Sequence, residues 1–459
     1  MTIINNALTG ALAAQIVLDT TSQNIANVMT PGYTRQGVLL GAAHNNRGAI
    51  ASPGDGVKVS SLLRFSDGYK NLQMWLAGSE LGQRSATQPY LTQLEQVMGD
   101  DSASINNGLD GFFGALNAAS VEPTSSPLRQ QVVTAADALA QRFNSLRQVL
   151  SVQRISTQQQ RTAAVSQINE ISRDIAILND KIVSSTTTGA SPSGLVDERD
   201  RKIDALASLV GVQVIDQPDG SRTVTLRSGQ PLVVGKTAAT VTVQSTLTGA
   251  QTLQLVFAHE TFTLGTSGLG GQLGGLDEFE NNILAPLTQS IVDMASGLAA
   301  QVNTQLGAGF TMAGTPGGAL FQFDPASTSA LLKVPAGFTG QDLGFSANAA
   351  QPGNSDNLLA VIDLKNQPVT VTSLGAVLLG DVYTQLTGKL AMDSQQNQDS
   401  LKIAQTVRDQ AEANWKTTSG VNSDEEAMNL MQYQQMYQAN MKVIAVANQL
   451  LDSTLAMFN

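Results

Sequence analysis

Two histidines, one glycine-rich turn and two acidic runs are the places where this 459-residue chain could do chemistry. His44 stands among Asn45, Asn46 and Arg47, and His259 lies in a stretch of β-branched residues. A metal-binding or general-base histidine needs a Cys partner, a second His at i+4 or clustered carboxylates. Neither has one, so both read as surface or edge-strand histidines. Gly270-Gly271-Gln272-Leu273-Gly274-Gly275 resembles a phosphate cradle, but it lacks the Lys-Ser/Thr of a P-loop and a following ribose-binding acid. It reads as a strand-to-helix connector. Asp197-Glu198-Arg199-Asp200-Arg201-Lys202-Ile203-Asp204 offers paired carboxylates for acid–base work. Yet Asp200–Asp204 and Glu198–Lys202 have the spacing of a solvated helix face, with Leu195, Val196, Ile203 and Leu206 on the apolar side. Asp424-Glu425-Glu426, after Ser423, reads as an acidic helix start whose carboxylates complement the macrodipole and cap free N–H groups. No catalytic, cofactor-binding or metal-binding residue is expected, and the chain reads as a non-enzyme.

The chemistry that remains is association. Residues 1–30 carry a single charged side chain, Asp19, and residues 427–459 carry only Lys442 and Asp452. A helix exposed on its own covers its outer face with Lys and Glu, so these two ends look like surfaces for other chains to cover. At the first end Ile4, Leu8, Ala11, Leu18 and Ile25 form one helical stripe. At the other, Leu430, Tyr437, Ile444, Leu451 and Phe458 recur every seven residues, with Ala427, Gln434, Met441, Asn448 and Leu455 in the second seam position. Polar Gln434 and Asn448 in such a seam are suited to setting register. Five of the twelve methionines lie in this segment and supply adaptable apolar contact. Burying each large apolar side chain stabilises by about 1.5–3 kcal/mol, while ordering each residue costs about 1–2 kcal/mol of backbone entropy. The apolar residues surround the last helix, so one partner helix covers only part of them. The termini are therefore expected to order only when neighbours cover every side.

Composition limits the partners. The formal charge of 26 − 37 = −11 argues against nucleic acid and against an anionic membrane surface. With no cysteine there are no disulfides and no thiolate sites. No run of eighteen apolar residues occurs, and the first residues lack the basic n-region of a cleaved signal peptide, so export without a cleaved leader is expected.

The elements that hold these ends follow from periodicity and turn signals. A first helix runs to about Thr30, where Thr30-Pro31-Gly32-Tyr33 stops it. Short strands over 37–64 precede a helical region from Asp67, whose longest piece, Leu128 to Ile182, carries an apolar seam of Val149, Val152, Ile155, Val165, Ile168, Ile171, Ile175 and Ile182. A short helix at Leu195–Leu209 leads to alternating β-branched residues over 211–266. Helix resumes at Gly275 to Leu306, a Gly-rich β excursion spans 307–375, and a final helical run from Leu378 is broken at Ser419-Gly420. The expected fold is α+β and multidomain. A terminal α-helical coiled coil (1–36 with 420–459) sits on a helical-bundle trunk (37–210 with 267–419) that has β excursions at 37–64 and 307–375. An inserted small all-β outer domain occupies 211–266.

Asn24-Ile25-Ala26-Asn27-Val28-Met29-Thr30-Pro31-Gly32-Tyr33-Thr34-Arg35-Gln36 resembles the N-terminal signature of flagellar rod and hook axial proteins. Ser419-Gly420-Val421-Asn422, Asp424-Glu425-Glu426-Ala427, Tyr433-Gln434-Gln435 and Tyr437-Gln438-Ala439 are similar to the C-terminal signature of their hook-associated members. Leu195 to Asp200, Gly270 to Gly275, Val302-Asn303 and Ser355-Asp356-Asn357 add interior matches. Met29 departs from the usual Asn of the family, and the β insert is short. The resemblance implies a structural adaptor joining flagellar hook to filament, outside the cell, exported by the flagellar type III apparatus. It implies four partners: hook protein, the second hook–filament junction protein, copies of itself in a tubular lattice, and a dedicated export chaperone that grips the C-terminal helix. The assembly contacts expected are Ile4, Leu8, Leu18, Asn24, Ile25, Asn27 and Tyr33 at one end, and Leu430, Tyr437, Ile444 and Leu451 at the other. A hook or distal rod protein is disfavoured by Arg35-Gln36 and Asp424–Glu426. A secreted β-domain hydrolase or adhesin is disfavoured by an insert whose aromatics are Phe257 and Phe262, without Trp.

Overall fold

A computed structural model describes residues 2–43, 54–188, 191–246, 250–265 and 268–457; His44 to Arg47 and Phe458 lie outside them. Helix α1 (Thr2–Ala26) ends four residues before the proline-glycine stop, in a turn closed by the Thr30 amide on the Asn27 carbonyl and by Gly32 at φ 71°. Strands β1 (Gln36–Ala42) and β2 (Val57–Arg64) form an antiparallel hairpin, with a register shift between Leu39 and Leu40. Asp67 caps α2 (Gly68–Gly99) by accepting from the amides of Tyr69 and Lys70. Helices α3 (Ile105–Val121), α4 (Ser126–Thr187) and α5 (Ser193–Leu209) follow.

The alternating segment folds into two antiparallel sheets. Strands β3 (Val212–Asp216), β4 (Arg222–Leu226), β5 (Pro231–Val234) and β6 (Thr237–Ala238) make one, and β7 (Thr240–Ser245), β8 (Gln251–Phe257) and β9 (Glu260–Leu264) the other. Helix α6 (Gly271–Glu278) then runs through a π-helical turn, Phe279–Leu284, into α7 (Ala285–Ala308). This stretch is long and apolar enough by composition to cross a bilayer, but Leu287, Ile291, Met294, Leu298 and Val302 are buried inside the protein.

Two apolar cores result. One joins α2, α3, the first half of α4, α7 and the residues from Leu379 to Leu390; the other joins the two sheets to Trp75, the second half of α4 and α5. Helix α4 runs through both, and between them its seam differs from the expected one. Val152 and Ile155 are 56% and 52% exposed, while Gln153, Thr157 and Arg161 are buried. An α-helix drifts by about 20° per heptad, so a strict seven-residue count walks off the buried face of so long a helix. Arg161 pairs there with Glu280 at 2.6 Å and Asp277 at 3.8 Å and donates to the side chain of Gln251 at 3.1 Å.

The excursion over 307–375 is mostly loop rather than β-structure. It holds only the two-residue strands β10 (Gln322–Phe323) and β11 (Leu332–Lys333), a short helix α8 (Asp356–Asp363) and β12 (Pro368–Val371), which pairs with β13 (Gly375–Leu378). Buried Arg129 of α4 ties it down, donating to the carbonyls of Gly340 (2.7 Å), Pro123 (2.7 Å) and Leu343 and lying 4.4 Å over the Phe345 ring. Burial lowers this guanidinium to about 10. Helix α9 (Leu379–Ser419) returns along α2, and α10 (Ser423–Ala456) returns along α1.

Candidate assembly surface

The two ends meet as a helix pair built on small residues. On α1 the buried positions Ala7, Gly10, Ala14, Val17, Thr21 and Asn24 alternate at three and four residues. On α10 the half-buried positions Leu430, Tyr433, Tyr437, Asn440, Ile444 and Ala447 alternate in the same way. This is a heptad seam. Gly10 makes room for the Asn440 side chain across the seam, since a Cβ there would stand 2.8 Å from its Oδ1. The second seam expected on α10 is displaced by one position: Ala427, Gln434, Met441, Asn448 and Leu455 are exposed, and Tyr433, Asn440 and Ala447 take their place. The polar residue in the seam is therefore Asn440. On α1, Ala11 of the expected stripe is buried, Ile4 and Leu18 are half-buried, and Leu8 and Ile25 face outward. Alanine and glycine let the helices approach closely, which pushes the larger aliphatics to the flanks.

Those flanks form the apolar exterior. Leu8, Leu12 and Ile16 of α1 lie one turn apart and are exposed, as are Met428, Met431, Val443, Val446, Leu450, Leu451 and Leu455 of α10. Glu426 is the only buried residue of α10.

Near the end of α1 the signature residue Asn24 turns inward. Asn24 is 1% exposed; its Nδ2 donates to the Gln36 carbonyl (2.8 Å), and its Oδ1 accepts from the Gln36 amide (3.0 Å) and from Tyr33 Oη (3.0 Å). One side chain thus pairs with both backbone groups of the first residue of β1. Asn27 donates to the Gln23 carbonyl (2.9 Å) and accepts from Thr30 Oγ1 (3.1 Å). Burial and the carboxylates of Asp197 and Glu426 raise the Tyr33 phenol above its ordinary value. The far end of the hairpin returns to α1: Asn6 Nδ2 donates to the Gly54 carbonyl (3.0 Å), and the Val57 amide donates to Thr9 Oγ1 (3.3 Å).

Arg35 joins the two ends. Its amide donates to the Ser419 carbonyl (2.8 Å), its guanidinium pairs with Glu425 (2.7 Å) and lies 4.5 Å over the Phe65 ring. Asn422 caps α10, accepting from the amides of Asp424 and Glu425, so the acidic run occupies the first turn.

The charge run on α5 is a solvated face only in part: Glu198 and Arg201 are exposed. Asp197 and Arg199 are buried, and the carboxylates reach residues distant in sequence. Asp197 accepts from the Thr34 amide (3.1 Å) and pairs with Arg64 Nε (2.7 Å); Asp200 pairs with Arg64 Nη2 (2.9 Å) and with Arg222. Asp204 holds Arg408 of α9 through two bonds of 2.7 and 2.6 Å. Arg199 donates to Asn179 Oδ1 (3.1 Å) and to the Gly220 carbonyl (2.8 Å), and burial lowers its guanidinium to about 10. Of the expected surface spacing Glu198–Lys202, Glu198 is exposed, and Lys202 pairs with Asp174 of α4 at 2.6 Å. The network seats the root of the helix pair on the trunk beside a cleft of ≈ 550 Å³ lined by Met29, Tyr33, Met74 and Trp415 among others.

The remaining candidates are architectural. His259 sits with Ala258 in the β8–β9 turn, at φ 75° and 48°. Among the described residues no group of three His, Asp or Glu is placed to hold a metal ion. In the glycine-rich connector, the Gly271 amide donates to Ser79 Oγ (3.0 Å), and a Cβ on Gly271 would stand 2.4 Å from the Val210 nitrogen. Its glycines serve backbone approach.

Comparison with known proteins agrees with this layout. The family model described as the flagellar hook-associated protein FlgK helical domain matches residues 91–321. The flagellar basal body rod FlgEFG protein C-terminal model matches 417–457, and the flagella basal body rod protein model matches 4–34. Flagellar hook-associated protein 1 of Escherichia coli K12 is 26% identical over 98% of each chain. Flagellar hook-associated protein 1 of Bacillus subtilis 168 is 25% identical over 96% of this chain and 95% of its own. The solved structure of the flagellar hook junction protein FlgK from Burkholderia pseudomallei superposes with a TM-score of 0.67 at 18% identity, covering 75% of this chain and 99% of that one. The helical-domain model alone spans half of the residues, and the chain belongs to the flagellar hook-associated protein FlgK family.

Proposed function

We propose that this chain is the structural adaptor that joins the flagellar hook to the filament, and that it polymerises as α1 and α10 order against neighbouring copies. The observation that carries the reading is the exposure of α10: a 34-residue helix that buries only Glu426 in its own chain. One partner, α1, covers one seam, and the aliphatics and methionines outside it gain burial only from other subunits. Leu8 and Ile25 on α1, with Leu451 on α10, are the outward contacts. Leu430, Tyr437 and Ile444, with Ile4 and Leu18, are half-buried within the pair and are completed from outside it. Asn24, Asn27 and Tyr33 act one step removed, by fixing the angle at which α1 leaves β1.

Hook protein and the second junction protein flank the subunit in this reading, copies of the chain form the tubular lattice, and an export chaperone grips the exposed face of α10 before assembly as a helix in a groove. Export runs through the flagellar type III apparatus. Deletion of residues 427–459 tests the reading. The two trunk cores are expected to keep their unfolding transition, while cells carrying the deletion make hooks without filaments. Filament attachment by the truncated chain would refute it. In dilute protein the amides of Tyr437 and Ile444 are expected to exchange quickly and to become protected on assembly.

A further inference from the structure

Methionine is distributed over this molecule in two populations. Met98 and Met294 lie in the trunk core at 2% and 0% exposure, whereas Met428, Met431, Met436 and Met441 of α10 stand at 59%, 58%, 36% and 45%, and Met29, Met392 and Met457, outside that run, at 88%, 73% and 83%. We infer that these four methionines of α10 are oxidation sites, and that their conversion to sulfoxides by a peroxide excludes the subunit from the lattice without unfolding it. The inference rests on the reading of α10 as a lattice surface.

The step is a two-electron oxygen transfer. The thioether sulfur attacks one peroxide oxygen, the O–O bond breaks, an S–O bond forms, and water leaves; sulfur is oxidised and the peroxide reduced. Access of the oxidant to sulfur sets the rate, and the free subunit leaves these four side chains in contact with solvent. The product replaces an adaptable apolar tip with a strong hydrogen-bond acceptor. On the isolated helix that acceptor has donors within reach, because Gln432 lies four residues after Met428 and Gln435 four after Met431. The seam toward α1 is untouched, since it is made by Leu430, Tyr433, Tyr437, Asn440 and Ile444. Once a neighbour covers the same face, the sulfoxide oxygen is removed from water without an assured partner, and the apolar contact it replaced is lost. One such loss of about 1.5–3 kcal/mol corresponds to a rise of about tenfold to a hundredfold in the concentration needed to assemble. Oxidation is thus selective for the state of the subunit: an assembled copy shields its own methionines.

Hydrogen peroxide applied to the purified full chain, followed by peptide mass spectrometry, thermal unfolding and incorporation into junctions of cells lacking the protein, tests this. The α10 methionines are expected to convert along with the exposed Met29, Met392 and Met457, with Met98 and Met294 unmodified, the unfolding transition unchanged and incorporation lost. A variant carrying Met428→Leu, Met431→Leu, Met436→Leu and Met441→Leu is expected to incorporate after the same treatment. Conversion of Met98 and Met294 at the same rate, equal incorporation of oxidised and untreated protein, or loss of incorporation by the treated leucine variant would each overturn the inference. Failure of the untreated wild-type chain to incorporate would instead refute the lattice reading, and the inference with it.

Discussion

Replacing Asn24 with alanine gives the sharpest test of how the first helix is anchored. The side chain makes three hydrogen bonds, to the Gln36 carbonyl, the Gln36 amide and Tyr33 Oη. Removing it leaves the two backbone groups of Gln36 facing a methyl group. A net hydrogen bond is worth about 0.5–1.5 kcal/mol, and each buried group left without a partner costs about 1–3 kcal/mol. Alanine returns part of this, about 0.5 kcal/mol, through its helix propensity. Water entering from the half-exposed side limits the loss, and the local cost comes to about 2–4 kcal/mol. It falls on one connection, so the trunk is expected to melt where the wild type does while the Gln36 amide exchanges about thirtyfold to a thousandfold faster. Hydrogen exchange read by fragment mass spectrometry measures both in one sample. A Gln36 amide that keeps its protection, or an equal loss of protection at Phe112 and Phe143 in the trunk core, would refute the idea that Asn24 acts as a local clamp.

Three further outcomes follow from the same geometry. Gly10→Ala needs only a small shift of the flexible Asn440 side chain and is expected to be nearly neutral, whereas Gly10→Leu separates α1 from α10; a cysteine pair across the seam that cross-links in the first variant and not in the second checks this. Arg129→Met leaves the carbonyls of Gly340, Pro123 and Leu343 without their donor and is expected to cost about 3 kcal/mol in urea unfolding, with residues 338–346 the first to be cleaved by protease. Burial raises the Asp277 carboxyl above its ordinary 3.8 despite the opposing pull of Arg161. The folded state therefore holds that proton more tightly than the unfolded chain. Its contribution is full below the unfolded value and is lost as pH rises from 3.8 through the raised folded value. The stability difference between wild type and Asp277→Asn should change across that window and level off above it.

The order of helices and strands was legible because each is written in local spacing: the stop at Thr30-Pro31-Gly32, the alternation over 211–266, the break at Ser419-Gly420. The seam between the ends was half legible. The heptad of Leu430, Tyr437 and Ile444 could be counted, but its companion could not, since the choice between Tyr433 and Gln434 depends on the side from which α1 approaches. That side is set by Gly10 and the alanines, which carry little weight in an apolar pattern. The α5 charges were misread for a related reason. Helical spacing describes neighbours on one helix, whereas Arg64, Arg222 and Arg408 come from three other elements. A buried aspartate looks like an exposed one until its partner is in view. The Gly-rich excursion over 307–375 reads as β in the sequence, yet its loops are held by Arg129, far away in α4.

Helix α4 has a mechanical consequence. At about 1.5 Å per residue its 62 residues span about 93 Å, and they pass without a break from one core into the other. The two cores therefore share a strut rather than a linker, and a bending load applied at either is carried by backbone hydrogen bonds along one axis. The helix pair meets this strut through a pinned root: the Arg35 amide holds the Ser419 carbonyl, its guanidinium holds Glu425, and Asp197 of α5, packed along α4, holds the Thr34 amide.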